Sequence, residues 1–184
     1  MSDRPLPPDA DAPEQIEWAG QFVLAKRRGR WEYAGRARGI RAAVILAVDA
    51  GEVILVEQYR VPLGKVCLEL PAGLIGDENE GESAIDSARR ELEEETGYQA
   101  AQWEDLGEFY SSPGMLEESF TLLKATGLTC TGDGGGTHDE DIVVHRVPLD
   151  RLAETIVAHR AKGHAIDMKL MILLGAHVLE DAAQ

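Results

Sequence analysis

The stretch Gly76–Tyr98 constrains the fold more than any other segment, because more than half of it has the pattern of an amphipathic helix. Helical signals run from about Ser83 to Glu95, and Gly97 closes the segment. At about 100° per residue, three apolar side chains share one stripe of this helix: Ile85, Ala88 and Leu92. A helix of this length needs tertiary packing to be stable, so the stripe must lie against a sheet or another helix.

Strand-sized apolar runs supply that surface. Ala42–Val48 and Glu52–Val56 are rich in β-branched residues, and the turn Asp49-Ala-Gly51 predicts that they form a hairpin. Similar runs predict four more strands, at Val66–Leu70, Trp103–Tyr110, Phe120–Leu123 and Ile142–Val147. Helices are predicted after Pro148 and from Ala165 to Leu179. Strands interspersed with helices indicate an α/β fold of the α+β type, a sandwich built around a mixed sheet.

The N-terminal part has a different composition. Residues 1–15 carry four prolines among Asp, Ala and Glu, which predicts a disordered tail. Gln21–Ala25 and Arg30–Tyr33 are strand-like and flank the basic stretch 26–29, which predicts a β-hairpin with a basic turn. We therefore divide the chain into the tail, N-terminal strands at residues 16–40, and a main domain at residues 41–184.

Charge and composition exclude several classes of protein. A net charge of −15 argues against a nucleic-acid partner, because such binders neutralise phosphates with Lys and Arg. No apolar run approaches the roughly 20 residues of a membrane span, and the N-terminus lacks the apolar core of a signal peptide. The two cysteines, Cys67 and Cys130, are too far apart to indicate a disulfide framework or a zinc site. We therefore expect a cytoplasmic protein without nucleic-acid or membrane partners.

Three glutamates cluster beside the apolar stripe of the predicted helix. Glu91, Glu94 and Glu95 fall on one face, where like charges repel by a few tenths of a kcal/mol per pair. A divalent cation among them would explain the cluster, since Mg²⁺ takes oxygen ligands together with waters and substrate phosphates. The alternative is a solvated acidic face without a ligand.

The residues around these glutamates favour the metal site. Their spacing is Gly, five residues, Glu, seven residues, and then Arg-Glu-apolar-any-Glu-Glu-any-Gly-apolar. Nine residues of the chain occupy these positions: Gly76, Glu82, Arg90, Glu91, Leu92, Glu94, Glu95, Gly97 and Tyr98. This pattern matches the Nudix box, and the chain therefore resembles the Nudix hydrolases, which cleave a nucleoside diphosphate linked to another group.

Flanking motifs are similar to those of the ADP-ribose pyrophosphatase branch of that family. They are the run 57–60, the run 69–73 before the box, Ser112-Pro113-Gly114 with Pro113 16 residues beyond Gly97, and Glu140-Asp-Ile. The resemblance implies a Nudix α/β/α sandwich, dependence on Mg²⁺ with Mn²⁺ as a substitute, and hydrolysis of ADP-ribose to AMP and ribose 5-phosphate. It also implies a homodimer in which the N-terminal strands reach across to the partner.

The resemblance assigns roles residue by residue. The metal ligands and catalytic carboxylates would be Glu91, Glu94, Glu95 and Glu140, with the backbone carbonyl of Ala72 as a further ligand. Glu82 would support the loop before the helix, and Arg90 would hold a box glutamate, since Arg forms bidentate pairs with carboxylates.

The identity of the general base stays open. The glycines at residues 131–137 suggest a mobile lid that delivers Glu140. Some family members carry a glutamate base where this chain has His138. His138, Asp139, Glu140 or a box glutamate, Glu94 or Glu95, are the alternatives, and we favour a box glutamate.

The resemblance also suggests substrate contacts. Arg60 matches a phosphate-binding arginine, and Arg38 is a second candidate. Glu118 would approach the terminal ribose, and Phe22 or Trp18 would stack on adenine. The remaining histidines show no HExxH or triad pattern and are interpreted as surface or core residues: His145, His159, His164 and His177.

Two other functions remain as alternatives. The box recognises the diphosphate and not the base, so GDP-mannose or another nucleoside diphosphate sugar could be the substrate. The domain could also be a non-catalytic module that binds a nucleotide. Such modules usually lose box glutamates, whereas this chain has all of them.

Overall fold

The structure is a computed structural model that describes residues 5–76, 81–137 and 140–175. Residues 1–4 of the predicted tail, His138, Asp139, His177 and the predicted end of the last helix lie outside these ranges. Within them, residues 5–13 form neither helix nor strand. No helix of the described part combines the length and hydropathy that crossing a membrane requires.

The N-terminal strands form an antiparallel sheet of three strands: β1 (Glu14–Ala19), β2 (Val23–Arg28) and β3 (Trp31–Arg36). The predicted hairpin corresponds to β2 and β3, and β1 begins two residues inside the predicted tail. The basic turn was placed wrongly, because residues 26–28 continue β2 and the chain turns at residues 29–30. Ion pairs explain why this basic run stays extended: Lys26 contacts Glu14 and Glu117, and Arg27 contacts Glu17.

Eight further strands form the main sheet. They are β4 (Arg41–Asp49), β5 (Glu52–Arg60), β6 (Lys65–Glu69), β7 (Ala72–Ile75), β8 (Tyr98–Tyr110), β9 (Ser119–Cys130), β10 (Ile142–Pro148) and β11 (Ala165–Ile166). The order is β11-β6-β5-β4-β9-β8, with β10 paired to β5 and β7 paired to β4. The pairs β4–β9 and β6–β11 are parallel and the others antiparallel, which confirms the predicted mixed sheet.

The hairpin of β4 and β5 opens the sheet. These strands pair only next to their turn, at Val48–Val53 and Asp49–Glu52. Beyond that point β4 pairs with β7 and β9, whereas β5 pairs with β6 and β10. The two halves of the sheet therefore diverge at the end away from the turn, and a cleft forms between them.

One helix covers each face of the sheet. In α1 (Ala84–Thr96), the Ser83 side chain accepts a hydrogen bond from the Asp86 N–H, and Gly97 ends the helix in the left-handed conformation with φ of 71°. The buried side of α1 packs on one core cluster, together with Ile45, Ile54 and Leu123. The helix α2 (Leu152–Ala161) packs on the other cluster, with Val53, Leu55 and Leu68. The predicted α/β/α sandwich is confirmed.

Other predicted boundaries differ from the structure. β8 begins at Tyr98 and β9 extends to Cys130, because these two long strands pair over most of their length. The predicted helix at Ala165 was wrong at its start: residues 165–166 form β11 beside β6, and helical structure begins at Met168. β11 pairs with the edge of β6 that β5 leaves open.

Candidate active site

A cleft of about 520 Å³ lies where the two halves of the sheet diverge. Among the described residues, its charged lining comprises six carboxylates and four cationic side chains: Glu69, Glu91, Glu94, Glu95, Glu118 and Glu140, and Arg36, Arg60, Arg90 and Lys169. The cleft also contains Ala72 and Gly73 of β7. All residues predicted as metal ligands therefore lie around one space.

Glu95 is the most deeply buried carboxylate of this cleft, with 5% of its surface exposed. Its Oε2 accepts a hydrogen bond of 3.1 Å from the Ala72 N–H, so β7 and the end of α1 are directly joined. Burial raises the pKa of Glu95 to about 8, although the Ala72 N–H acts in the opposite direction. A cation bound beside Glu95 would stabilise the charged carboxylate, and the proton would be released to solvent.

Glu91 lies one helical turn earlier, against Gly73. A Cβ atom on residue 73 would lie 2.0 Å from the Glu91 carboxyl carbon, so only glycine allows this approach. Burial raises the pKa of Glu91 to about 7, while the neighbouring Arg90 lowers it. The Leu-Pro-Ala-Gly run before the box, whose last two residues begin β7, thus has a steric reason for its glycine.

Arg90 holds the glutamates of α1 in place. Its guanidinium lies 2.9 Å from Glu91 Oε1 and 3.0 Å from Glu94 Oε2. Glu82, which precedes the helix, lies 3.8 Å from Arg90 Nε. These contacts agree with the predicted roles of Glu82 in supporting the helix start and of Arg90 in orienting box glutamates.

The glycine-rich loop is hydrogen-bonded to the end of α1. The N–H groups of Gly135 and Gly136 donate to the carbonyls of Glu95 and Glu94, at 2.9 and 3.0 Å. Glu140 follows, and its Oε2 accepts a hydrogen bond of 3.0 Å from the Thr137 N–H. Glu140 lines the cleft, and the lid motion that the glycines suggested stays a prediction.

Two further arginines line the cleft. Arg60 donates from Nε and Nη2 to the carboxylate of Glu69, at 2.6 and 2.9 Å. Arg36 at the end of β3 donates to Glu118. Bidentate pairing fixes the Arg60 guanidinium next to the carboxylate face of α1, where it can attract a phosphate.

Not every predicted substrate contact reaches this cleft. Arg60 and Glu118 line it, but Arg38 and Phe22 do not. Arg38 lies just after β3 with a φ of 64°, whereas Arg36, two residues earlier, lines the cleft. Phe22 lies in the turn between β1 and β2, where 59% of its surface is exposed, and Trp18 is 60% exposed.

Sequence reasoning missed three charged residues among those described in the cleft: Arg36, Glu69 and Lys169. Glu69 belonged to the motif before the box, and its position at the end of a buried strand was the available signal. Lys169 comes from the segment predicted as the last helix, and its Nζ lies 5.8 Å from the centre of the Phe120 ring. No local pattern in the sequence marks Lys169.

The residues of the cleft fit a hard divalent cation. The carboxylates of Glu91, Glu95 and Glu140 offer oxygen ligands, which Mg²⁺ prefers. The raised pKa values of Glu91 and Glu95 show that their charged forms are disfavoured without a cation. The Ala72 N–H bonds to Glu95, and so residue 72 lies beside the same carboxylate.

The chain is similar in sequence to known protein families and to individual proteins. The NUDIX domain family matches residues 37–167. The chain is 35% identical over 124 residues to the ADP-ribose pyrophosphatase of Bacillus subtilis (strain 168), which covers 65% of each protein. It is 35% identical over 147 residues to the GDP-mannose pyrophosphatase of Cronobacter sakazakii, covering 74% of this chain and 72% of the relative.

Among solved structures, a protein described as an ADP compounds hydrolase superposes with a TM-score of 0.67. Its sequence is 18% identical, and the match covers 92% of this chain and 93% of that one, so the likeness concerns the fold alone. In two of the strongest matches to curated relatives, the chain spans 53% and 65% of the relative's own length.

Proposed function

The chain belongs to the Nudix family, and from this premise we propose that it hydrolyses ADP-ribose, or a related nucleoside diphosphate sugar, in a Mg²⁺-dependent reaction. The products from ADP-ribose would be AMP and ribose 5-phosphate. The observation that carries the proposal is the convergence of Glu91, Glu95 and Glu140 in the cleft that also contains Arg60. Carboxylates for a cation and an arginine for a phosphate are the groups that diphosphate hydrolysis needs.

Each group has a part in this mechanism. Glu91, Glu95, Glu140 and the carbonyl of Ala72 would hold Mg²⁺, with Glu94 as a ligand or as the group that orients water. The ion would neutralise the diphosphate charge and lower the pKa of the attacking water. Arg60 would bind a phosphate oxygen in exchange for part of its pairing with Glu69.

We place the general base among the box glutamates, at Glu94 or Glu95. Arg90 fixes the Glu94 carboxylate at 3.0 Å, which leaves its other oxygen to receive a proton from water. The alternatives His138 and Asp139 lie outside the described residues.

ADP-ribose is favoured over GDP-mannose by the flanking motifs, whereas the relative that covers more of this chain carries the GDP-mannose name. A substrate panel separates the two. Purified protein is incubated with ADP-ribose, GDP-mannose, ADP-glucose, NADH or diadenosine polyphosphates, in Mg²⁺ and in EDTA, and products are resolved by ion-exchange chromatography.

We expect the highest kcat/KM with ADP-ribose, AMP and ribose 5-phosphate in equal amounts, activity with Mn²⁺ in place of Mg²⁺, and none in EDTA. A preference for GDP-mannose would change the assigned substrate but would still support Mg²⁺-dependent hydrolysis of a nucleoside diphosphate sugar. Nucleotide binding without turnover of any compound would instead support a non-catalytic module.

We further propose that the protein is a cytoplasmic homodimer that pairs through its N-terminal strands. Every residue of β1 is exposed, and the sheet presents Ile16, Trp18 and Trp31 with 59%, 60% and 54% of their surfaces accessible. Exposed apolar surface of this kind marks protein interfaces. In such a dimer, Phe22 could reach the partner's cleft and stack on adenine. The two cysteines are free, which agrees with a reducing compartment.

A further inference from the structure

A second cluster of metal-ligating side chains lies outside the cleft. It consists of Glu57 on β5, His145 on β10, His159 on α2, and His164 just before β11. We call it the histidine cluster. These residues are spread over more than half of the chain, and the fold brings them together on the face of the sheet that α2 covers. Sequence analysis interpreted these three histidines as surface or core residues; His159 is buried, and His145 and His164 are partly buried.

Four distances between ligand atoms of the histidine cluster are close to those of a tetrahedral coordination shell, and the ligand atoms of Glu57, His145 and His159 all lie within 4.8 Å of one another. Glu57 Oε2 lies 3.2 Å from His145 Nε2, 3.4 Å from His159 Nδ1 and 3.7 Å from His164 Nδ1. The Nδ1 atoms of His159 and His164 are 3.3 Å apart. Four ligands at about 2.0–2.1 Å from a tetrahedral Zn²⁺ are separated from each other by about 3.3–3.4 Å.

Burial keeps His159 in a form that can bind a cation. His159 is 4% exposed, and burial lowers its pKa, which favours the neutral imidazole that metals bind. Three imidazole nitrogens converge on the single oxygen Glu57 Oε2. One cation at the centre would satisfy all four groups at once.

We propose that Glu57, His145, His159 and His164 form a structural Zn²⁺ site that joins α2 to the strands β5 and β10. Three imidazoles and one carboxylate suit Zn²⁺, whereas Mg²⁺ and Ca²⁺ prefer oxygen ligands alone. Four protein ligands close the shell, so the site holds the helix on the sheet and leaves no position for substrate. The site is independent of the proposed hydrolase activity and of the carboxylate cleft.

The test uses the full chain without a histidine tag. The protein is stripped with chelator, loaded with ZnCl₂ and dialysed against millimolar Mg²⁺, which occupies the all-oxygen cleft. Zinc content is then measured by mass spectrometry, and zinc X-ray absorption gives the ligand shell. We expect one equivalent of Zn²⁺ with imidazole nitrogens at about 2.0 Å. A hundredfold excess of Zn²⁺ over Kd should raise the Tm by about 5–10 °C.

Two variants test the ligands. H164N and E57Q should each lose the retained Zn²⁺, whereas E154Q, which removes an exposed carboxylate from α2, should keep it. H164C should retain Zn²⁺ with a new sulfur ligand at about 2.3 Å, because a thiolate can replace an imidazole as a zinc ligand. The thiolate would not restore the hydrogen bonds of the imidazole ring. This rescue separates a metal site from a loss of folding in H164N.

Three results would overturn the proposal. They are a wild-type protein that retains no Zn²⁺, an absorption spectrum with an all-oxygen shell, and an H164N variant that retains as much Zn²⁺ as the wild type. Each would leave the histidine cluster as a hydrogen-bonded network.

Discussion

Replacing Glu95 with Gln should stabilise the metal-free protein at high pH and also remove its response to Mg²⁺. Glu95 is 5% exposed, and its pKa rises from the ordinary 4.5 to about 8. The folded state therefore binds the proton more tightly than the unfolded state. Stability is highest at low pH and is lost as the pH rises from 4.5 through 8.

The size of this effect follows from the pKa values. Each pKa unit corresponds to about 1.36 kcal/mol, so the buried charge destabilises the metal-free fold by about 1 kcal/mol at pH 5 and by about 5 kcal/mol at pH 9. Gln has the same shape, can accept the Ala72 hydrogen bond and stays neutral. The difference in unfolding free energy between E95Q and the wild type should therefore grow by about 4 kcal/mol from pH 5 to pH 9.

Urea unfolding in EDTA at several pH values measures this difference. With a slope near 2 kcal/mol per molar urea, the midpoints should separate by about 2 M more at pH 9 than at pH 5. E93Q is the matched control, because Glu93 lies on the exposed side of the same helix. Adding Mg²⁺ should stabilise the wild type and E93Q but not E95Q. Parallel pH dependences for E95Q and the wild type would refute the reasoning from burial.

Three further predictions follow from the cleft and the N-terminal sheet. G73A should lower turnover by about 100-fold, since its Cβ would displace the Glu91 carboxylate. G114A is the control, because it adds a Cβ in open space and should leave kcat unchanged. Equal kcat values for the two variants would contradict the steric role of Gly73. Mg²⁺ binding should release protons from Glu91 and Glu95, whose pKa values are about 7 and 8. The affinity of the protein for Mg²⁺, measured by calorimetry, should therefore rise from pH 6 to pH 9. An affinity that does not change with pH would argue against these two ligands. Deleting residues 1–40 should give a monomer by light scattering and impair activity, because Arg36 is lost from the cleft; a fully active dimer would refute the role of the N-terminal strands.

Local signals in the sequence were sufficient for the helix that carries the glutamates. Ser83 as N-cap and Gly97 as a left-handed terminator are properties of a few adjacent residues, and the structure has both. The apolar stripe set the side of the helix that faces the sheet. The fixed spacing of the box then placed Glu91, Glu94 and Glu95 on the side that faces the cleft.

Long-range pairing decided the features that the sequence did not reveal. Residues 26–28 look like a basic turn, but ion pairs with Glu14 and Glu117 keep them in a strand. The choice between Arg36 and Arg38 depends on where β3 ends, and a positive φ at Arg38 follows that end.

The histidine cluster shows the same dependence on the fold. Its residues have no common spacing, so only the packing of α2 and β10 on β5 brings them together.

The central claim is that the cleft carboxylates bind Mg²⁺ for diphosphate hydrolysis, and the turnover of ADP-ribose by the wild type, E93Q and E95Q tests it most directly. With saturating Mg²⁺, the wild type and E93Q should form AMP and ribose 5-phosphate at the same rate, and kcat for E95Q should fall by at least about 100-fold, since metal ions contribute several kcal/mol to the transition state. Circular dichroism should show all three proteins folded. An E95Q variant with wild-type turnover would contradict the claim.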